Sequence, residues 1–383
     1  MALKLKSAKL DLYIYTGSQE NKGDPKYTLT KTRITSEPTI VFEISELVRD
    51  YIDISFTGNY DKIIQTAWVQ TELTRTFEDD QDNTITSTDG SPLTRRYIAF
   101  RGYGELFDTN AETNLNTNPT LSTNFLISNN VIYHLKGEQL YVPFYVAENG
   151  VFQVDYKKNN AVVSTFKYGG NVKFIRTDNT TLRTDNAGDI YDTTTTAVRG
   201  DDSDGFTSKD VVVLDSVDEI VVTKKDGTSF SREIREIEEC KYDPLKVSFL
   251  NKFGVIQDLW FFKRSDRGMS VERDEHRKTT IQHLATGTNF NTYDNPTMLL
   301  SSRAKKTLTM NTGFVSEDHN EVIKQLLNTE FCWVHQPNQF GFTEPTPAKP
   351  TSLSFTEQQE VNEKLLNFTL GFELSHNFIQ DIR

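Results

Sequence analysis

The stretch KYDPLKVSFLNKFGVIQDLWFFKR, residues 241–264, is the most strongly patterned part of the sequence. From Leu245 to Phe249 apolar side chains alternate with polar ones, which predicts a strand with one buried face. Gly254 is free to adopt a positive φ, so we expect it to close a short turn over Asn251 and Lys252. The returning segment carries apolar residues on both faces: Val255, Leu259 and Phe261 on one, and Ile256, Trp260 and Phe262 on the other. The sequence therefore predicts a β-hairpin whose second strand is central in its sheet or covered on both sides.

Length and composition favour several thin layers of sheet. The chain has 383 residues, which predicts two or three domains rather than one core. Apolar residues make up 36% and aromatic residues 11%, with 25 Phe and 15 Tyr. Bulky flat side chains pack well between stacked sheets, while polar residues cover the outside. We expect a mainly β protein with two or more β-sandwich or barrel-like domains, antiparallel sheets and one short helix in the C-terminal domain.

Strand-like stretches recur along the whole chain. The first begins at once, because apolar and polar residues alternate over residues 10–14. A short helix is predicted behind Ser45, which would act as its N-cap. The short strands have the spacing of sandwiches and barrels rather than of βαβ units. The predicted division is an N-terminal β-rich region of one or two subdomains, 1–238, and a C-terminal β domain, 239–383.

Four segments depart from the strand pattern. Residues 110–130 are dominated by Asn and Thr, and residues 177–209 are of low complexity and acidic, so both are predicted to be long polar loops. A helix is predicted over 317–328, because Ser316 can cap it and an apolar stripe follows at helical spacing. Residues 336–350 contain several prolines and are predicted to form an extended arm or linker.

Charge and cysteine content exclude some classes of protein. The formal net charge of −12 repels a polyphosphate backbone, and no basic stripe with interleaved aromatic residues offsets it, so direct nucleic-acid binding is not expected. Cys240 and Cys332 do not form a disulfide framework, which fits synthesis in a reducing cytosol. No apolar run approaches the roughly 18 residues that a membrane-spanning helix needs, and no cleaved export signal is predicted.

Chemical motifs are weak throughout. His276 and His283 lie in DEHRKTTIQH, which matches no zinc spacing, so we expect ordinary exposed histidines there. The stretch RGDDSDG, residues 199–205, fails as a calcium loop because Gly200 and Val211 would occupy the first and last ligand positions. No nucleophile elbow, phosphate loop or distinct carboxylate pair is present. The sequence therefore predicts no catalytic, cofactor-binding or metal-binding residues, and no cofactor.

Several stretches resemble one group of proteins. They are VFEISELVRDYI (Val41–Ile52), FLNKFG (Phe249–Gly254), TGFVSE (Thr312–Glu317), EFCWV (Glu330–Val334) and EKLLNFTLGFEL (Glu363–Leu374). Together they are similar to virion structural proteins of tailed bacteriophages, or related prophages, of Bacteroidota hosts. The resemblance covers about half of the chain, mostly after Cys240, and leaves open whether the counterpart is a tail, baseplate or head-to-tail neck protein.

The resemblance implies a non-enzymatic structural subunit that is made in the host cytoplasm and resides in the virion. Its expected partners are copies of itself in a ring and other virion proteins of the tail or neck, with neither nucleic acid nor membrane as a direct partner. The long loops and the proline-rich segment would then be inter-subunit arms. The alternative is a receptor- or carbohydrate-binding virion protein that uses the loops containing Tyr103 and Tyr191. A depolymerase and a bacterial surface protein are weaker alternatives, because no β-helix repeat and no export signal are visible.

Overall fold

The chain forms two compact units. The first comprises Met1–Glu238 together with Leu250–Asp258, and the second comprises Glu239–Phe249 together with Leu259–Arg383. The structure is a computed structural model. It describes residues 4–15, 22–34, 39–54, 56–58, 66–78, 84–86, 92–103, 125–138, 140–143, 151–169, 174–176, 178–179, 182–184, 190–192, 212–213, 217–224, 227–289, 291–337, 343–352 and 365–378.

The first unit is built almost entirely of strands. They are β1 Lys4–Tyr15, β2 Tyr27–Thr32, β3 Thr66–Glu78, β4 Thr84–Thr86, β5 Leu93–Phe100, β6 Val131–Leu135, β7 Tyr141–Pro143, β8 Val151–Lys158, β9 Ala161–Gly169, β10 Phe174–Arg176, β11 Asp178–Asn179, β12 Leu182–Thr184, β13 Ile190–Asp192, β14 Val212–Val213, β15 Glu219–Lys224 and β16 Ser229–Ile237. Its described helix is α1, Ser45–Arg49.

Two five-stranded sheets dominate this unit. One has the order β2-β1-β3-β4 with β5 also paired to β3, and the other has the order β6-β16-β15-β8-β9. Alternate side chains of the second sheet face a common core, as Val154 and Tyr156 of β8 lie opposite Val222 and Ile220 of β15 and all four are buried. Their pairing is antiparallel, whereas β6 pairs with β16 in parallel. Pairs β7–β10, β11–β14 and β12–β13 form small ladders.

Most residues of one large sheet, and one helix, belong to the second unit. The hairpin strands are β17 Leu245–Leu250 and β18 Ile256–Phe261, and the later strands are β19 Asp266–Arg277, β20 Gln282–Leu284, β21 Gly287–Asn289, β22 Thr297–Ser316, β23 Cys332–Pro337, β24 Thr343–Pro350 and β25 Leu365–Phe378. The seven-stranded sheet has the order β18-β17-β23-β24-β25-β22-β19, while β20 and β21 form a separate hairpin. Helix α2 spans His319–Leu327.

The predicted fold class is confirmed. Strands dominate both units, the described pairings are antiparallel apart from β6–β16, and the sheets are of the β-sandwich type. The second unit contains one short helix among its described residues, as predicted. The strand expected at the N-terminus is also present, since Leu10, Leu12 and Ile14 are buried along β1.

The hairpin of residues 241–264 forms as predicted. Gly254 adopts a φ of +76° and lies in the turn, where its amide donates to the carbonyl of Asn251. The returning strand β18 stands at the end of the strand order rather than at its centre, yet the side chains from Val255 to Phe262 other than Asp258 are buried. Of the two predicted alternatives, coverage on both sides is therefore the one observed.

The prediction of a free arm over residues 336–350 is wrong for the described part of that segment. Residues 343–350 form β24, an interior strand that pairs with β23 and β25. Pro345 and Pro347 lie two residues apart, so their missing N–H groups point to the same side of the strand. The ladder with β25 covers only Ala348–Pro350, so residues 343–347 of β24 pair with β23 alone.

The predicted loops and helix starts also need correction. Residues 125–130, assigned to a polar loop, contribute Phe125 and Ile127 to the core, whereas 110–124 lie outside the described residues. Within 177–209 the described residues form β11, β12 and β13. Helix α2 begins at His319 with Asp318 at the N-cap, and Ile44 is the N-cap of α1, so neither Ser316 nor Ser45 caps its helix.

Candidate interaction surface

A buried serine–histidine pair lies in the large sheet. The Oγ of Ser248 on β17 is 2.7 Å from Nε2 of His335 on β23, because the two residues are diagonal neighbours across the ladder. A catalytic serine must reach its substrate, but the Ser248 side chain has no exposed surface. This contact is a structural hydrogen bond that satisfies two buried polar groups.

A second Ser–Asp–His group precedes α2. Nδ1 of His319 lies 3.2 Å from Oδ1 of Asp318 and 3.3 Å from Oγ of Ser316, and the Ser316 hydroxyl also contacts Asp318. A catalytic triad requires the histidine to bond its carboxylate through one ring nitrogen and its serine through the other. Here both contacts involve the same nitrogen, so the group serves to order the start of the helix.

A polar cluster on the first sheet centres on Glu72. Its carboxylate accepts hydrogen bonds from Tyr13 Oη at 3.1 Å, from Gln70 Nε2 at 2.8 Å and from Nζ of Lys22. The bond from Lys22 is the main reason that the pKa of Glu72 is lowered. The Lys22 ammonium also lies 4.3 Å from the centre of the Tyr13 ring. The cluster therefore attaches the segment before β2 to β1 and β3.

The remaining candidates for chemistry do not form a site among the described residues. Burial raises the pKa of the Cys332 thiol to about 12, which suppresses the reactive thiolate, whereas Cys240 is exposed. Among the described residues no group of three or more His, Cys, Asp or Glu side chains is arranged to hold a metal ion. His276 is exposed on β19, as predicted, whereas the side chain of His283 and residues 199–205 lie outside the described part of the chain.

The hairpin turn belongs to the first unit and packs against residues 101–103 of that unit. The Lys252 carbonyl accepts a hydrogen bond of 2.9 Å from the Tyr103 amide. A Cβ on Gly102 would lie 2.3 Å from that carbonyl, and a Cβ on Gly254 would lie 2.6 Å from the Arg101 carbonyl carbon. Only glycines permit this backbone approach, so the turn has a structural role.

The two tyrosines proposed for glycan binding are placed differently. Tyr103 is 40% exposed and its backbone is held by the hairpin turn. Tyr191 lies on β13 opposite Arg183 of β12, and its side chain is outside the described residues.

The most unusual surface is a long β-ribbon in the second unit. β19 pairs with β22 from Asp266–Thr309 to Arg277–Thr297, and every residue of β19 is exposed. β22 also pairs with β25, but that ladder begins only at Ala304. Among the described residues, Glu272–Arg277 of β19 and Thr297–Arg303 of β22 therefore pair only with each other, and we call β19 together with Thr297–Thr309 of β22 the ribbon.

Large apolar side chains lie exposed on this ribbon. Met269 is 61% exposed, Leu300 is 73% exposed, and Val271, Met298 and Leu299 are each exposed by 40% or more. Leu300 sits at an irregularity in the ladder between Asp274 and Glu275, where β22 has one extra residue. Clustered apolar residues on one exposed element mark an interaction surface more often than scattered ones do. Sequence reasoning missed this ribbon, although the charge-rich stretch DRGMSVERDEHR (266–277) could have indicated a strand without a buried face.

No family model, curated protein or solved structure matches this chain. Among the described residues, none of the helices has the length and apolar character required to cross a membrane.

Proposed function

We propose that this chain is a non-enzymatic structural subunit of a tailed-phage virion, located in the tail, baseplate or head-to-tail neck. In this role it associates with copies of itself and with other virion proteins through β domains and extended elements. The sequence resemblance described above supports the virion assignment. The exposed ribbon supports the assignment as a subunit of an assembly.

The observation that carries the proposal is the ribbon formed by β19 and the first part of β22. All twelve residues of β19 are exposed, and apolar side chains lie along it. Burying roughly 200 Å² of apolar surface contributes about 5 kcal/mol to the free energy of association. An assembled subunit gains this stabilisation, and a monomer does not. A long strand pair with this composition is therefore expected to be covered by a neighbouring protein rather than by water.

We assign to the ribbon the inter-subunit role that the sequence predicted for the proline-rich segment. An inter-subunit element must extend beyond the core of its own subunit, and β24 fails this requirement because it lies inside the sheet. The ribbon meets it, since β19 is at the end of the strand order and its partner strand is 20 residues long.

Sedimentation velocity of the purified full-length chain over a wide concentration range tests the assembly. We expect one or a few discrete oligomers, because ring-closing interfaces give closed assemblies of defined mass. A chain that stays monomeric at all concentrations would contradict the proposal. Cryo-electron microscopy of the phage particle that encodes the chain tests its location, and density for the chain in the tail or neck is the expected result.

The receptor-binding alternative makes a different prediction. A purified chain that binds specific sugars on a glycan array while remaining a monomer would favour this alternative. A structural subunit is expected to give no such binding and to form oligomers instead.

A further inference from the structure

The two faces of the β19–β22 ribbon differ in character. Residues that lie directly opposite each other in an antiparallel pair point to the same face, and successive residues alternate between faces. The face that we call the basic ribbon face consists of Arg267, Met269, Val271, Arg273, Glu275 and Arg277 on β19 and of Thr297, Leu299, Ser302, Ala304 and Lys306 on β22. It carries four cations and one carboxylate, a net charge of +3, in a chain whose net charge is −12.

The basic ribbon face continues the buried face of the sheet. Leu308 and Met310 have the same parity on β22 as Ala304 and Lys306, and both are buried. Leu308 lies opposite Phe372 of β25, which is also buried. The apolar row thus extends from the core along one side of the sheet into a region where nothing in the described chain covers it.

The opposite face of the ribbon is mainly polar and internally paired, with Met298 as an exposed apolar side chain opposite His276. Oγ of Ser301 donates a 2.6 Å hydrogen bond to Asp274, and Nζ of Lys305 lies 2.8 Å from Glu373 of β25. Arg303 and Glu272 lie directly opposite each other, which favours the attraction of unlike charges across the strands. This face has the composition of an ordinary solvated sheet surface, so the two faces of the ribbon have different roles.

We propose that the basic ribbon face binds an acidic surface of a second copy of this chain. The proposal rests on the proposed function and names the element and the charges through which neighbouring subunits meet. The strip carries a net charge of +3 in a chain of net charge −12, so the rest of an identical neighbour carries −12 − 3 = −15, which favours attraction to the strip. Because the strip on one copy meets a different surface on the next, the contact is heterologous and can close a ring.

The dimensions of the strip fit this role. Eleven residues from Arg267 to Arg277 extend about 35 Å, and a two-stranded face about 10 Å wide covers roughly 350 Å². That is the size of the largest exposed patches on typical proteins, which are often functional, and about half of what each partner buries in a stable pair. The strip therefore provides about half of the surface that each subunit contact requires.

Two other ways of using the ribbon are disfavoured. A neighbour's strand added to the edge of β19 would meet Glu272, Arg273 and Asp274 in succession, and charged residues on an edge strand oppose such pairing. Nucleic acid would be attracted by the cations but repelled by the net charge of the whole chain.

Charge reversal on each face of the same ribbon provides a matched test. Arg273→Glu lies on the basic ribbon face, and Arg303→Glu makes the identical change on the opposite face. Met269→Ser removes an apolar side chain from the basic ribbon face without altering charge. Self-association of the full-length variants is measured by sedimentation velocity at roughly 50 mM and 500 mM salt, which brackets strong and weak screening. Circular dichroism spectra establish that each variant is folded.

The expected result is that Arg273→Glu and Met269→Ser weaken self-association by about tenfold or more, whereas Arg303→Glu changes it by less than about twofold. High salt should weaken association of the unaltered chain and reduce the difference between the two arginine variants. Equal effects of both arginine variants, or salt-independent association, would overturn the assignment of this face.

Failure of the inference is distinguishable from failure of the proposed function. If the unaltered chain forms oligomers and Arg273→Glu forms them equally well, the subunit role stands and the ribbon assignment is wrong. If the unaltered chain never associates, both are wrong. Added duplex DNA that binds the unaltered chain, and binds Arg273→Glu more weakly, would show that the face is a nucleic-acid site instead.

Discussion

The replacement Asn251→Ala tests how the hairpin turn is held in the first unit. Asn251 is 1% exposed and makes four hydrogen bonds through its side chain, three of them buried and one partly buried. Nδ2 donates to the Leu126 carbonyl at 2.7 Å and to Oε1 of Gln257 at 3.0 Å. Oδ1 accepts from the amides of Phe253 at 3.0 Å and Val255 at 3.3 Å. Alanine would leave all four partners without this side chain.

The expected cost is large for a single substitution. At about 1 kcal/mol for each lost hydrogen bond, the free energy of unfolding of the first unit falls by about 4 kcal/mol. Values of that size are exceptional among point variants and arise where buried polar groups lose their partners. Asn295→Ala is a control of identical chemistry in an exposed turn, where one bond of 3.1 Å to the Thr297 amide is lost, and we expect about 0.5 kcal/mol or less.

Native-state hydrogen exchange with mass spectrometry, followed over a urea series, measures this effect for each unit separately. Peptides covering residues 125–143 and 250–258 should lose protection together in Asn251→Ala, because both belong to the first unit. A loss of less than about 1 kcal/mol, or a loss equal to that of Asn295→Ala, would refute the view that Asn251 organises the turn.

Three further predictions concern particular residues. Gly254→Ala should destabilise the first unit by about 3 kcal/mol, because φ is +76° and the new Cβ would lie 2.6 Å from the Arg101 backbone. Gly227→Ala is the control: φ is +84° but the space around it is open, so urea denaturation should show a loss of about 1 kcal/mol. Because the pKa of Glu72 is lowered from 4.5, chiefly by the hydrogen bond from Lys22, its stabilising effect is present above pH 4.5 and is lost as pH falls through the folded-state pKa. In Glu72→Gln, the free energy of unfolding should therefore fall less steeply as the pH drops below 4.5. A decrease as steep as in the unaltered chain would contradict this role. Iodoacetamide at about pH 8 should label Cys240 in the folded chain but Cys332 only after unfolding, as mass spectrometry of the labelled peptides would show.

Local pattern was sufficient to predict the main elements of the hairpin and the first strand. Alternation with period two identifies β17 and β1, and a glycine between two strands indicates a turn with positive φ, as Gly254 shows. These features depend on residues that are neighbours in sequence. The absence of a recognisable catalytic or metal motif is likewise a property of the sequence, and the Ser248–His335 pair was found only from the structure because its members are 87 residues apart.

Long-range pairing explains the features that were predicted wrongly. Prolines normally argue against an interior strand, yet Pro345 and Pro347 are tolerated because their missing donors lie on the side of β24 that is not laddered to β23. Residues 125–130 resembled a polar loop, but Asn129 accepts a hydrogen bond of 3.1 Å from Gln257, and Phe125 lies in the core. Neither outcome can be derived from a window of neighbouring residues, because the partners are distant in the chain.

The amino-acid sequence by itself determined that this protein is mainly β and acidic, since these properties follow from composition and from side-chain periodicity. Tertiary structure alone decided which faces are covered. Met269 and Leu308 share one side of the same strand pair, but only Leu308 lies within the width of the core. The physical reason is that periodicity sets the direction in which a side chain points, whereas the end of the packed core determines whether anything meets it there.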